Sequence, residues 1–275
     1  MNQSTFRGSI KSAFKPIVFW FYVNIYVPLR DFWRSKFGTC HVTILLYHRI
    51  SEENLDPCTV TPKQFIHQLS ILKREFEVID MTQFLSGLAE PRRRPAAVIT
   101  FDDGYEDNYL AAQVLHDANI PCTFFISTGI VGTKKSFPMD VRLQRQLATL
   151  SWDQVNEMSS WGFHIANHSV SHCDMGQISV EESLEEVSKA TGDIIQKLGE
   201  KGPERWFAYP FGRPRNIKSG VVERLHANGI DFCFSAYGGV NQPGFNPYNI
   251  RRQPVNYRMS DLTFQAVASG YRIRS

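Results

Sequence analysis

No C-x-x-C pair occurs in this sequence. Its five cysteines, Cys40, Cys58, Cys122, Cys173 and Cys233, are odd in number and widely scattered, which argues against a disulfide framework. Cys122 and Cys233 lie inside apolar runs, where a thiol behaves as a small buried hydrophobe. A strong charge of either sign is also missing: 30 Lys+Arg against 27 Asp+Glu leave a formal +3. That balance is too small to argue for nucleic acid, so no nucleic-acid partner is expected, and Arg92-Arg93-Arg94, set before Pro95, reads as a solvated loop. The sequence has no internal repeat with a period of roughly 20–50 residues and no low-complexity tract. What remains, 43% hydrophobic and 13% aromatic over 275 residues, is a folded chain of the right size for one α/β barrel.

An apolar run long enough to span a bilayer is lacking too. Residues 1–36 come nearest: Arg7, Lys11 and Lys15 precede the run from Pro16 to Leu29, and Arg30, Arg34 and Lys36 follow it. The run is shorter than the roughly 20 residues a spanning helix needs, contains Asn24 and is bounded by Pro16 and Pro28. No small-residue cleavage site follows it, so a secretory signal is not expected. An aromatic run between basic flanks suits a segment lying at a membrane surface, and it equally suits an apolar helix packed on the rest of the protein. Residues 1–36 are therefore set apart as a basic-aromatic segment with peripheral membrane contact as one reading, and residues 37–275 as the catalytic domain. Unpaired thiols and this amino terminus favour a cytoplasmic or inner-membrane location, with the periplasm as the alternative.

From His41 onward strand-like runs alternate with helix-like ones, the pattern of a parallel sheet with crossover helices. Seven strands are predicted: Val42–Tyr47, Glu77–Ile79, Ala97–Phe101, Cys122–Ile126, His164–Asn167, Trp206–Tyr209 and Phe232–Ser235. Helices are predicted after Thr61-Pro62, over Tyr109–Asp117 and Trp152–Met158, and over Ser179–Leu198, where Ser179 and Glu182 make a capping box and Gly199 a stop. In barrel folds the chemistry gathers on the loops at the carboxyl ends of the strands.

Three strand-end motifs stand there. Thr100-Phe101-Asp102-Asp103-Gly104 places two adjacent carboxylates at a turn. Neighbours on a strand face opposite ways, so both can serve one site only where the strand breaks, as Gly104 permits. One carboxylate can then ligate a metal while the other accepts a proton. Alone, Asp-Asp-Gly is an ordinary surface turn. Asn167-His168-Ser169-Val170-Ser171-His172 sets two imidazoles four residues apart, able to converge on one ion yet in isolation more often incidental. Together the two motifs offer three ligands and leave positions open for water and substrate. The third, Trp206-Phe207-Ala208-Tyr209-Pro210-Phe211-Gly212, is a strand entering a turn that can present an N–H to an oxyanion, with Tyr209 or Phe211 as a wall against a sugar ring.

The order T-F-D-D-G, H-S-x-x-H, Y-P-F-G resembles the polysaccharide deacetylases of carbohydrate esterase family 4, over about residues 40–256. The opening His41-Val42-Thr43-Ile44-Leu45-Leu46-Tyr47-His48 and the late Tyr248-Asn249-Ile250-Arg251-Arg252 are similar to the branch acting on poly-N-acetylglucosamine. The resemblance implies an α/β fold, a distorted (β/α) barrel of about seven parallel strands, and removal of acetyl groups from N-acetylated sugars. It also implies Asp102 as base, Asp103, His168 and His172 as ligands of one divalent metal, zinc first, and the Phe211 N–H as oxyanion donor. Two departures follow. The family's third motif often begins with Arg where Ala208 stands, and Arg252 is the candidate to orient the base instead. The family's terminal His acid has no counterpart after Arg252, which leaves His48 as candidate acid, while His226 is expected on a helix. An O-acetyl esterase and a degenerate glycan-binding member are the alternatives.

Overall fold

The computed structural model describes residues 16–53, 56–87, 92–199, 204–242 and 244–272. Among these residues ten strands follow in chain order: β1 Val42–Tyr47, β2 Arg49–Ile50, β3 Thr59–Val60, β4 Glu77–Val78, β5 Ala96–Phe101, β6 Thr123–Ile126, β7 His164–Asn167, β8 Trp206–Ala208, β9 Phe232–Phe234 and β10 Gln253–Pro254. The main sheet runs β10-β1-β5-β6-β7-β8-β9, with β4 beside the start of β5. Every strand pair in it is parallel. β2 and β3 form a separate two-residue ladder.

The strands read as near-continuous apolar runs because both faces of the sheet are covered; every residue of β1 and β5 is buried. One face carries Leu45, Tyr47, Ile99, Phe101, Phe124 and Ile165 against α2 Pro62–Glu75, α4 Asp107–Asp117 and α6 Trp152–Ser160. The other gathers Ile44, Val98, Phe125, Ala166, Ala208 and Phe234 from strands across the whole sheet into a single cluster, which only a curled sheet's inner face allows. Ile250 bridges to Phe234, and Gln253 pairs with Leu45. The stretch from Ile250 to Pro254 thus spans the gap between β9 and β1 and gives the distorted barrel. Helix ends follow local chemistry: Thr61 and Gln64 box the start of α2, and Ser179 and Glu182 that of α7 Val180–Leu198, which ends at Gly199.

All seven expected strands form, each within a residue or two of its expected bounds. The closing strand β10 lies outside the expected elements, as do the short strands β2 and β3, the short helices α3 Met81–Ser86, α5 Pro138–Arg142 and α8 Ser219–Leu225 and the helix α9 Asp261–Ala268. A further helix, α1 Val27–Phe37, follows a π-turn at Tyr22–Tyr26. Among the described residues no helix is long and apolar enough to cross a membrane. Arg7, Lys11 and Lys15 lie outside the described residues.

Candidate active site

The site lies at the carboxyl ends of β5, β7 and β8. Asp102 and Asp103 leave β5 at a backbone reversal: Asp103 has φ +77° and Gly104 φ +95°. A side chain at Gly104 would put its Cβ 2.7 Å from Val131 Cγ2, so only glycine permits the turn. The reversal brings both carboxylates to one place, as a regular strand could not. Asp102 continues the inward parity of Ala96, Val98 and Thr100, and its N–H donates to Tyr47 O at 3.0 Å.

His168 and His172 follow β7 in a loop rather than a helix, with Ser169 at φ +67° and His172 at φ +55°. Left-handed backbone at residues other than glycine is costly and persists where surroundings enforce it. Here the enforcement is visible. Ser169 Oγ accepts from the His172 N–H at 3.0 Å, and Asn167 Oδ1 from the Ser169 N–H at 2.8 Å. Glu186, on α7, accepts from the Val170 N–H (2.9 Å), the Ser171 N–H (2.8 Å) and the Ser171 hydroxyl (2.9 Å).

The result is a compact donor set. The Nε2 atoms of His168 and His172 lie 3.3 and 3.1 Å from Asp103 Oδ1, and one ligand atom from each of the three residues falls within 4.8 Å of the others. Asp103 Oδ1 is buried and lacks a well-formed hydrogen bond among the described residues, so these atoms converge without satisfying one another. His168 Nδ1 is 2.8 Å from the Ala208 carbonyl. A proton held there leaves the Nε2 lone pair facing the cluster, the tautomer a metal ligand requires. Two imidazoles and a carboxylate fit a zinc-like divalent ion.

Asp102 is held differently. Arg252, completely buried, donates through both terminal nitrogens to both Asp102 oxygens at 2.6 Å each. Its Nε–H donates to Ser235 O at 3.0 Å, and its guanidinium lies over the Phe125 ring at 5.1 Å. Burial alone would raise both carboxyls. The Arg252 charge and then His168 pull Asp102 below its ordinary value, and His172 and His168 hold Asp103 well below. Burial likewise disfavours the His168 cation, but Asp102 and Asp103 outweigh it and raise the imidazole in the absence of an ion.

Phe211, at φ +60° and 37% exposed, packs edge-on to His172 at 4.9 Å beside the cluster. Tyr209 is a correction to the sequence reading. It lies one position past Ala208, so it faces the outer side of the sheet, buried beside Phe207 with its hydroxyl 3.4 Å from Tyr248 O. It cannot touch a substrate. His48 follows β1 half-buried, close enough that its charged form lowers both aspartates, and its Nδ1 is buried without a partner among the described residues. His226 sits exposed at the end of α8. Glu186 and Ser235 carried no pattern in the sequence; their parts follow from position alone.

Residues 89–232 match the model of the polysaccharide deacetylase family. The chain belongs to the polysaccharide deacetylase family. Among similar proteins, a poly-beta-1,6-N-acetyl-D-glucosamine N-deacetylase of Staphylococcus aureus is 25% identical over 219 residues, 75% of this chain and 71% of that protein. The solved IcaB of Ammonifex degensii superposes with TM-score 0.69 at 23% identity, covering 84% of this chain and 96% of that one. The Streptococcus pyogenes deacetylase PplD, solved with acetate, gives TM-score 0.69 at 20% identity over 84% and 99%. These two structures share the curled parallel sheet. This deacetylase is a carbohydrate-directed enzyme.

Proposed function

We propose that this polysaccharide deacetylase is a metal-dependent N-deacetylase of N-acetylglucosamine-containing glycans. The observation that carries the reading is the side-by-side placement of two carboxylates with different partners: Asp103 among imidazoles, Asp102 gripped by an arginine. The name of the Staphylococcus aureus relative supports the N-acetylated substrate.

Asp103, His168 and His172 would hold the ion. When bound, a divalent ion supplies Lewis acidity toward the acetyl carbonyl and acidifies water at neutral pH. The protein's own residues do the rest. Asp102 takes the proton from the attacking water, its position and charge kept by Arg252. The Phe211 N–H donates to no backbone carbonyl among the described residues and meets the oxyanion that develops on the acetyl group. His48 returns a proton to the leaving sugar amine. The same ion pair supports turnover over a degenerate glycan-binding member, since Arg252 gives the proposed base the guanidinium that Ala208 does not.

The test is acetate release from N-acetylglucosamine oligomers and from acetylated xylan, together with metal content. The proposal expects release from the oligomers, loss of bound metal in Asp103→Asn and His168→Ala, and retained metal without turnover in Asp102→Asn. Release from xylan alone, or full activity in any of these variants, would contradict it. We further infer that residues 1–36 give the enzyme a peripheral hold on a membrane, a reading supported by the large apolar side chains this segment leaves exposed.

A further inference from the structure

The described part of the amino-terminal segment is helical from residue 16 to Phe37 and two-sided. Its inner side is fastened to the body. Phe19 and Tyr22 pack edge-on to Tyr271 at 5.0 and 5.1 Å, Arg30 donates to Ser269 O at 2.6 Å, and Asp31 pairs with Arg30. Its outer side is a ladder at four-residue spacing, Ile17, Phe21, Ile25, Leu29, Trp33 and Phe37, each between 48 and 72% exposed. Residues three and four apart share a helix face, so these six make one apolar stripe. Packing half-buries the opposite side and leaves this one bare.

Charge lies at one end of that stripe, and part of it comes from elsewhere in the chain. Lys36 rests its ammonium over the rings of Phe32 and Trp33 at 4.5 and 5.5 Å. The loop containing Arg92, Arg93 and Arg94 is drawn against the helix end: the Cys40 N–H donates to Arg92 O at 2.9 Å, and Arg93 reaches Ser35 O at 3.5 Å. Arg92 is paired with Glu77, whereas Lys36, Arg93 and Arg94 are exposed. Between Arg34 and Arg92 opens a cavity of about 250 Å³, also lined by Thr39 and Asn241. Within residues 1–37 six Lys and Arg face a single acid, Asp31.

We propose that this face binds an anionic bilayer surface base-down, with the helix stripe in the acyl boundary and the cluster of Lys36, Arg93 and Arg94 on lipid phosphates. The proposal rests on the peripheral hold inferred above and adds two things, a lipid class and an orientation. An amphipathic helix alone favours any bilayer, while a basic cluster beside it selects negative headgroups. The orientation follows from connectivity. The helix ends at Phe37 and β1 begins at Val42, so the bound face is at the amino ends of the strands. The catalytic groups are at the carboxyl ends, one strand length of roughly 20 Å away. The mouth therefore faces away from the lipid, and the enzyme works on glycan standing off the membrane, not on a sugar at the headgroup plane.

The experiment is vesicle flotation of the full chain with pure phosphatidylcholine and with phosphatidylcholine carrying phosphatidylglycerol, alongside the triple variant Lys36→Gln/Arg93→Gln/Arg94→Gln. Deacetylation of a soluble oligomer is measured free and bound. The expected results are selective binding to the anionic vesicles, binding by the triple variant on the order of 100-fold weaker, and an unchanged rate on the soluble oligomer when vesicle-bound. Equal binding to both vesicles, or undiminished binding by the triple variant, overturns the lipid class but leaves the peripheral hold. A rate blocked on binding overturns the orientation. No flotation with either vesicle sinks the hold itself, and a dimer in light scattering would then give the face to a second copy of the chain.

Discussion

Arg252 and Asp102, 150 positions apart in sequence, meet through two parallel hydrogen bonds of 2.6 Å inside the barrel. The fork geometry keeps the carboxylate ionised and fixed in orientation, since both its oxygens are engaged by one rigid group. The segment that closes the sheet therefore also fixes Asp102, the proposed base. Loss of Arg252 leaves a buried, unpaired carboxylate. Arg252→Ala is expected to lower stability by about 3–5 kcal/mol, read by denaturant titration, and to remove turnover. Arg252→Lys keeps the charge without the fork and should recover stability more than activity.

Glu186 clamps the loop that carries both histidines. Glu186→Ala removes the acceptor for the Val170 and Ser171 N–H groups, freeing a loop with two left-handed residues. Metal affinity is expected to fall by roughly 10–100-fold, measured by competition with a chromophoric chelator, with little change in overall fold by circular dichroism. Unchanged affinity would reduce Glu186 to a surface acid.

His48 is assigned the proton returned to the leaving amine. His48→Gln should lower kcat by roughly 100-fold or more, while bound metal is retained. A variant that turns over at the full rate would pass the role to another group.

A pH effect on stability is expected away from the chemistry. Burial disfavours the His164 cation, but hydrogen bonds to Glu204 (2.6 Å) and Asp80 (3.1 Å) prevail and raise the group above its ordinary 6.5. A raised folded value means the contribution is complete below 6.5 and is lost as pH rises through the folded value. Tm of the metal-free protein should fall over that window, and His164→Gln should flatten the fall.

The strands were legible because sequence and burial coincide: β1 and β5 are unbroken apolar runs, and each ends in a chemically distinctive turn. β10 was not, since two residues, Gln253 and Pro254, carry no periodicity and pair only because the sheet curls. The proposed ligands Asp103, His168 and His172 were legible as types at strand ends, but their convergence depends on positive φ at Asp103 and His172, which neither residue type announces. Tyr209 packs with Phe207 on the outer face, which strand parity alone dictates. Ala208 faces inward with Ala96 and Val98, so its neighbour must face out. Arg252 was reachable only as a substitute for a missing arginine, because nothing local marks a buried cation whose partner is far along the chain.

The most direct measurement is acetate release from N-acetylglucosamine oligomers by the protein as purified, after verified chelation, and after return of zinc. Release that stops with the metal's removal and returns with zinc, in step with occupancy of the Asp103, His168 and His172 site, is the predicted result. Undiminished release from metal-free protein would contradict the account at its centre.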